Sequence, residues 1–217
     1  MARSNKFFTS SVGQKIVMSL TGLFLCSFLI IHLIGNLSLF KNDNGVSFNY
    51  YSHFMSTNPI IRTIEIGLFL GFGYHIIQGL LLWIKNKKSR PKNYDVYSID
   101  QNTTLTNRIS VLSGVTVLFF LVVHLKTFFI PTRFYNQTNS YQLVVDAFSN
   151  PYYCFFYIVA LLLLAFHLKH GFRSAFQSLG LLTPKYEKII DLVSMLFWLV
   201  IPIGFASMPI YFLFFNR

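Results

Sequence analysis

Long apolar stretches alternate with short polar ones along the whole chain, and this pattern decides the architecture. A helix needs roughly 20 apolar residues to cross a bilayer core about 30 Å thick. Five stretches meet that length, at about residues 16–39, 61–84, 109–130, 152–175 and 188–214. The alternating pattern of a membrane barrel strand does not occur. We predict an all-α integral membrane bundle of five transmembrane helices that forms a single domain over residues 1–217.

Three prolines refine the last two predicted helices. Pro151 suits the first turn of the fourth helix, where its missing N–H costs nothing. Pro202 and Pro209 fall inside the fifth helix, and we expect them to kink it.

The composition agrees with a membrane protein. Apolar residues make up 53% of the chain and charged residues 12%, about half the charged share of ordinary soluble domains. A soluble enzyme and a disordered chain are therefore excluded. The formal net charge of +11 reports membrane topology rather than nucleic-acid binding. The basic segment up to Lys15 leads into a run long enough to span, so we expect a retained first helix rather than a cleaved signal.

Basic residues are divided unevenly between the two sides of the predicted bundle. Five of the 18 lysines and arginines fall on the side opposite the N-terminus: Lys41, Arg62, Lys126, Arg133 and Arg217. Positive residues accumulate on the cytoplasmic side of membrane proteins. We therefore predict a multi-pass protein of the cell inner (cytoplasmic) membrane, with the N-terminus cytoplasmic and the C-terminus outside. The basic cluster from Lys85 to Lys92 is expected to meet anionic lipid headgroups or the acidic face of a partner.

Two cysteines, Cys26 and Cys154, lie inside apolar runs. Two thiols cannot form a metal cluster, and nothing in the sequence supports a disulfide between them. We expect both to be small buried thiols.

Histidines carry the chemical signal. Five of the six fall within predicted spans, where an ionisable residue is a functional candidate by default. In the first helix nine residues separate Thr21-Gly22 from His32, and in the third nine residues separate Ser113-Gly114 from His124.

The second and fourth helices share a different pattern. Three residues separate His75 from Gly79, and three separate His167 from Gly171. A two-helix unit built on a histidine and a glycine is therefore repeated. His170 competes with His167, but only His167 keeps the spacing to glycine that the second helix has.

The depths of these four histidines in the membrane sort them into two pairs. His32 and His124 lie about 25 Å from the inner ends of their helices, in the outer half of the membrane. His75 and His167 lie towards the inner ends of theirs.

Paired imidazoles at one depth on different helices are what a six-coordinate haem needs, and such a haem carries electrons because it has no open position. Glycines would let a flat macrocycle approach the backbone, although close helix packing is an alternative reading. A zinc or di-iron site would want carboxylates, which the spans supply only as Glu65 and Asp191.

With these features the chain resembles the cytochrome b558-type membrane anchor of succinate:quinone oxidoreductases, the five-helix, two-haem type that includes some fumarate reductases. The resemblance covers essentially the whole chain. Besides the histidine and glycine patterns, it is carried by Asn36, Phe48-Asn49, His53-Phe54-Met55, Glu65-Ile66 and Gly180.

The resemblance implies an inner haem b held by His75 and His167 and an outer haem b held by His32 and His124. It also implies a flavoprotein subunit, which oxidises succinate or reduces fumarate, and an iron–sulfur subunit. Electrons would pass between the iron–sulfur subunit and membrane quinone, in the respiratory chain and the tricarboxylic acid cycle. The chain by itself is not expected to act on succinate, because it has no carboxylate-binding arginine cluster and no flavin motif.

Further residues are candidates for contacts around these haems. For the haem propionates they are Ser19, Arg108, Lys169 and Arg173, and for an outer quinone pocket they are Asn36, His53 and Glu65. His53 falls in an outer loop, and its alternative reading is an exposed loop histidine. Each ligating imidazole is expected to donate its other ring N–H to a main-chain carbonyl one turn earlier.

One position departs from part of the family. Some fumarate reductases of this type carry a glutamate two residues before the fourth-helix ligand, as part of a proton path, and this chain has Ala165 there. That proton path is therefore not assumed. Two other functions remain open: the haem-carrying anchor of a different membrane dehydrogenase, and a haem-free channel or transporter with a histidine proton relay.

Overall fold

The computed structural model describes residues 10–88 and 105–215, except for the side chains of residues 86, 87 and 105–111. The described residues form helices and no β-strand. The helices are α1 (Ser11–Asn36), α2 (Val46–Thr57), α3 (Pro59–Lys88), α4 (Leu105–His124), α5 (Ile130–Phe134), α6 (Ser140–Phe148), α7 (Pro151–Ser178), α8 (Glu187–Met195) and α9 (Ile201–Phe214). A 3₁₀ turn, Leu37–Phe40, continues α1, and two π-turns, Leu125–Phe129 and Leu196–Val200, join α4 to α5 and α8 to α9.

Five helical segments are long and apolar enough to cross a membrane, which confirms the predicted all-α fold. They are span 1 (Ser11–Phe40), span 2 (Pro59–Lys85), span 3 (Leu112–Phe134), span 4 (Pro151–Ser178) and span 5 (Glu187–Phe214). Large apolar side chains such as Ile34, Leu70 and Phe119 are exposed on their outer faces. A surface of this kind suits lipid rather than water, so the fold is that of a multi-pass membrane protein. The end of the bundle at which span 1 ends and span 4 begins is called the outer end below.

Capping residues set two of the span boundaries. Span 1 begins a few residues earlier than predicted, because Ser10 Oγ accepts a hydrogen bond from the Gly13 N–H at 3.0 Å and so caps the helix. Span 4 begins at Pro151 as predicted, and Asn150 Oδ1 accepts hydrogen bonds from the N–H groups of Tyr152 and Tyr153.

The two π-turns have a common cause. Each precedes a proline in the first turn of the following helix, Pro131 in α5 and Pro202 in α9. Proline offers no N–H and its ring clashes with the carbonyl four residues earlier, so the helix widens by one residue and continues. The disturbance expected at Pro202 therefore takes the form of a π-turn. The turn in span 3 follows His124 directly, and π-turns are common at functional sites.

Span 4 is the central helix of the bundle. It packs against spans 1, 3 and 5, whereas span 2 packs mainly on span 1. In the most apolar part of span 4, 33% of the residues are buried, compared with 0% in span 2. Cys26 and Cys154 are free and buried, 7% and 3% exposed, which confirms the prediction of buried thiols.

Two short helices, α2 and α6, cover the outer end and are joined by side-chain hydrogen bonds. Asn49 Nδ2 donates to Asn139 Oδ1 at 3.0 Å, and the hydroxyls of Ser52 and Ser140 lie 2.7 Å apart. The segment around His53, expected to be a loop, is therefore helical, because α6 supplies partners that lie about 90 residues away in the sequence.

Candidate functional site

The outer histidines face each other across the bundle. His32 of span 1 and His124 of span 3 have ring centroids 5.8 Å apart and ring planes at 85°. Phe28 stacks on His32 with ring centroids 5.2 Å apart, and Phe128 lies 5.3 Å from His124. The outer pair therefore sits in an aromatic, low-polarity surrounding.

Hydrogen bonds orient both outer rings. His124 Nδ1 lies 3.0 Å from the hydroxyl of Tyr157, a buried residue of the central span. Tyr153 extends the contact, with its hydroxyl 3.4 Å from that of Tyr157. On span 1 the Asn36 amide nitrogen donates to the His32 carbonyl at 2.7 Å and lies 3.4 Å from His32 Nδ1.

The inner histidines form a second pair with nearly the same geometry. His75 of span 2 and His167 of span 4 have ring centroids 6.3 Å apart and ring planes at 79°. The predicted pairs are thus the pairs that the structure brings together, His32 with His124 and His75 with His167. The role of these residues as ligands stays a prediction.

Two of the repeated glycines make room for the inner histidines. A Cβ at Gly22 would lie 3.2 Å from His75 Cε1, and a Cβ at Gly114 would lie 3.4 Å from His167 Cε1. The repeat seen in the sequence therefore corresponds to the same contact at two places. In each, the glycine of an odd-numbered span lies against the histidine ring of the next span. Gly171, the repeat glycine nearest His167 in the sequence, has no such neighbour within 4 Å.

The hydrogen-bond partners of the His75 ring differ from the one expected, a carbonyl on its own helix. The His75 ring hydrogen bonds to the main-chain carbonyl of Met18, and its Nδ1 lies 3.3 Å from Thr21 Oγ1. Both partners belong to span 1. For His75 and His124 the expectation of a carbonyl one turn earlier on the same helix was wrong, because neighbouring spans offer better-placed groups.

The donor set is suited to a haem iron. Within residues 10–88 and 105–215 no group of three or more His, Cys, Asp and Glu side chains comes together. Two imidazoles suit a metal that brings four further ligands of its own, as the iron of a porphyrin does. With imidazole–metal bonds of about 2 Å, two rings on opposite faces of one iron have centroids about 6 Å apart. Both pairs have this separation, so the residues fit the group.

The candidate propionate contacts have partners within the protein. Ser19 Oγ donates to the Lys15 carbonyl at 2.8 Å, and Lys169 Nζ lies 4.5 Å from the Trp198 ring centroid. Arg173 forms ion pairs with Glu187 at 2.5 Å and with Asp191. The side chain of Arg108 lies outside the described residues. The propionate role of these residues stays a prediction.

The candidate quinone residues lie in three different surroundings. Asn36 contacts His32, as described above. Glu65 pairs with Arg62 at 2.5 Å. His53 lines a polar cavity between α2 and the segment after span 3. That Asn36, His53 and Glu65 bind a quinone stays a prediction.

Sequence reasoning missed two polar residues on the spans that carry the histidines. Tyr157 contacts the outer pair, and Gln78 stands one turn after His75. The Gln78 Oε1 atom is buried without a hydrogen-bond partner among the described residues, and buried polar atoms normally have one. The available signal was a polar group in an apolar span, where such groups need a partner.

Fold and site together define an all-helical, multi-pass membrane protein with two stacked pairs of histidines between its spans. The chain is similar to the succinate dehydrogenase cytochrome b558 subunit of Bacillus subtilis (strain 168), with 27% identity over 176 residues that cover 80% of this chain and 83% of the relative. This similarity supports the resemblance stated from the sequence. No protein-family model and no solved structure matches the chain.

Proposed function

We propose that the chain is the dihaem cytochrome b membrane subunit of a succinate:quinone oxidoreductase. His75 and His167 would hold an inner haem b, and His32 and His124 an outer one. The observation that carries the proposal is the presence of two facing histidine pairs on four spans, with ring separations of 6.3 Å and 5.8 Å. The similarity to the Bacillus subtilis subunit supplies the class of enzyme.

The role of the chain's own residues would be to hold the haems and orient their ligands. Each histidine pair would supply two imidazole ligands to the iron of one haem, and a haem held in this way carries electrons rather than binding oxygen or substrate. Tyr157 hydrogen bonds to His124 Nδ1, and the Met18 carbonyl accepts a hydrogen bond from the His75 ring. Such contacts fix ring orientation and tune a bound metal. Haem b bound at both levels supplies two one-electron carriers between an iron–sulfur subunit at the inner end and quinone in the bilayer.

The partners follow from the same assignment. A flavoprotein subunit and an iron–sulfur subunit would carry out the succinate or fumarate reaction. They would dock on the inner end, where the described basic residues include Lys85, Lys185 and Lys188. The quinone would bind near the outer pair, where Asn36 contacts His32.

A redox titration followed by optical absorption tests the proposal. The purified full chain should be red and should titrate as two one-electron centres with a sharp reduced α-band. His75→Ala and His167→Ala should each remove the same centre, while His32→Ala and His124→Ala should each remove the other. His170→Ala is the matched control at the inner end and should retain both.

The pattern of losses separates this assignment from its competitors. A folded, colourless protein would contradict haem binding and leave the histidine proton relay. Loss of one centre by His75→Ala and of the other by His167→Ala would contradict the pairing. Purification with a flavin-bearing subunit that has succinate activity distinguishes this enzyme from other membrane dehydrogenases with haem anchors.

A further inference from the structure

A polar cavity of about 230 Å³ lies at the outer end, away from both histidine pairs. Its walls come from the second half of α2, the end of span 3 and the loop that leads into α6, and every lining residue has a polar side chain. Thr57 stands just before span 2 and Thr132 near the end of span 3. The cavity is therefore at the level where the spans leave the membrane.

Hydrogen bonds within and behind its walls keep the cavity in shape. The hydrogen bonds that join α2 to α6 fix one wall, with Ser52 and Ser140 at its edge. The opposite wall is a turn in which the Gln137 N–H donates to the Pro131 carbonyl at 3.1 Å and Asn136 has a φ of 53°. The lining groups are thus set in place before any ligand arrives.

Arg133 gives the cavity an uncompensated positive charge. It is half-buried, and no described acidic residue lines the cavity or pairs with it. The described carboxylates at the outer end are engaged elsewhere: Glu65 with Arg62, Asp43 with the N–H groups at the start of α2, and Asp146 with Gln142. An anionic ligand would supply the missing charge.

The chemistry of the wall favours phosphate. A guanidinium binds phosphate oxygens through two parallel hydrogen bonds. The side-chain amides of Asn136 and Gln137 in the wall are further donors for phosphate oxygens. Ser56 and Thr132 donate their hydroxyls to main-chain carbonyls of their own helices. The volume is below the range of about 300–1,000 Å³ that holds drug-sized ligands.

We propose that this cavity binds a phosphate group, with Arg133 as its principal ligand. The phosphate would come from the headgroup of an anionic phospholipid in the outer leaflet or from free phosphate. The assignment is independent of haem binding, because none of its residues belongs to the histidine pairs.

The test is a phosphorus NMR titration of the full chain, purified in a maltoside detergent that contains no phosphorus. The two probes are glycerophosphoglycerol, a phospholipid headgroup without acyl chains, and inorganic phosphate. Saturable binding is expected, and Arg133→Gln should weaken it by about tenfold or more. Arg133→Lys should recover only part, because it keeps the charge and loses the planar fork. Lys126→Gln is the matched control: it removes an exposed charge from the same span outside the cavity and should leave the affinity unchanged.

The outcomes decide both the site and the source. Tighter binding of glycerophosphoglycerol assigns the site to a lipid headgroup, and equal or tighter binding of inorganic phosphate assigns it to free phosphate. The proposal is overturned if neither probe binds, if Arg133→Gln binds as the native chain does, or if a water-soluble quinone analogue displaces the probe. The last result would make the cavity a quinone site and restore the sequence prediction for His53.

Discussion

Gly22 and Gly114 show how single residues position the inner histidines. Each lies on an odd-numbered span and leaves space for the imidazole of the next span, at 3.2 Å and 3.4 Å from an added Cβ. A glycine inside a helix lowers helix stability by about 1 kcal/mol relative to alanine. Glycine at these two places therefore opposes helix propensity, and the contact with His75 or His167 explains it.

Gly22→Ala is expected to disturb the inner pair and leave the outer pair intact. The added methyl group must displace the His75 ring by a few tenths of an ångström, and the His75 contacts with Met18 and Thr21 hold that ring in place. We expect a shifted potential or reduced occupancy of one of two optical centres, measured by redox titration. Mutations of the groups that orient a metal ligand typically cost about 10–100-fold in metal affinity or activity.

Gly67→Ala is the control for this substitution. Gly67 lies on the same span as His75, and nothing stands within 4 Å of its added Cβ. Its titration should match that of the native chain. If both substitutions leave the two centres unchanged, the glycine contact does not position His75.

Residues whose positions depend on their own helix were predictable from the sequence, and residues whose contacts depend on helix packing were not. The four paired histidines could be assigned from sequence because depth in a membrane helix follows directly from position along the chain. Tyr157 and the Met18 carbonyl could not, since they reach the histidines from other spans, and only helix packing decides which groups meet. Arg133 was counted for topology alone, because nothing in its local sequence indicates that Ser52 and Ser140 come beside it.

The same contrast applies to the helices: the five spans could be located from the sequence, and the two helices that cover the outer end, α2 and α6, could not. A span in lipid must be apolar along its length, so hydropathy locates it. Helices α2 and α6 are short and partly polar, and short helices depend on tertiary packing rather than local propensity. Their stability comes from side-chain hydrogen bonds such as Asn49 to Asn139, which no local pattern reveals.

The connection before α2 depends on Gly45. Its φ of +81° lies in the left-handed region, and an added Cβ would overlap the ring of Tyr141 in α6. Gly45→Ala should therefore introduce backbone strain of about 1–3 kcal/mol and also separate the two covering helices. We expect the apparent melting temperature, followed by circular dichroism, to fall by more than the roughly 2–4 °C that 1 kcal/mol represents in a protein of this size.

Gly180→Ala separates strain from contact. Gly180 also has a positive φ, +72°, but an added Cβ there meets nothing within 4 Å. This variant should lose only the strain term and melt above Gly45→Ala. Equal losses in the two variants would show that the Tyr141 contact contributes nothing to the outer cover.

At the scale of the whole molecule, the distribution of basic residues predicts how the bundle is oriented in the membrane, which helix packing alone does not. The inner end carries Lys85, Lys169 and Arg173, while the described basic residues of the outer end are few and include Arg133 and Lys126. Because basic segments stay on the cytoplasmic side during insertion, the inner pair of histidines should face the cytoplasm. The order of the two pairs across the membrane, and the side on which soluble subunits dock, both depend on this orientation.

Labelling of single introduced cysteines with a membrane-impermeant thiol reagent tests the orientation in intact cells. Cys26 and Cys154 are buried, so the native chain should stay unlabelled and serves as the control. Asn42→Cys, exposed before α2, should be labelled at once, whereas Lys185→Cys, exposed between spans 4 and 5, should be labelled only after the membrane is permeabilised. The reverse result would turn the bundle over: the pair His32 and His124 would then face the cytoplasm, and the iron–sulfur subunit would have to dock beside α2 and α6.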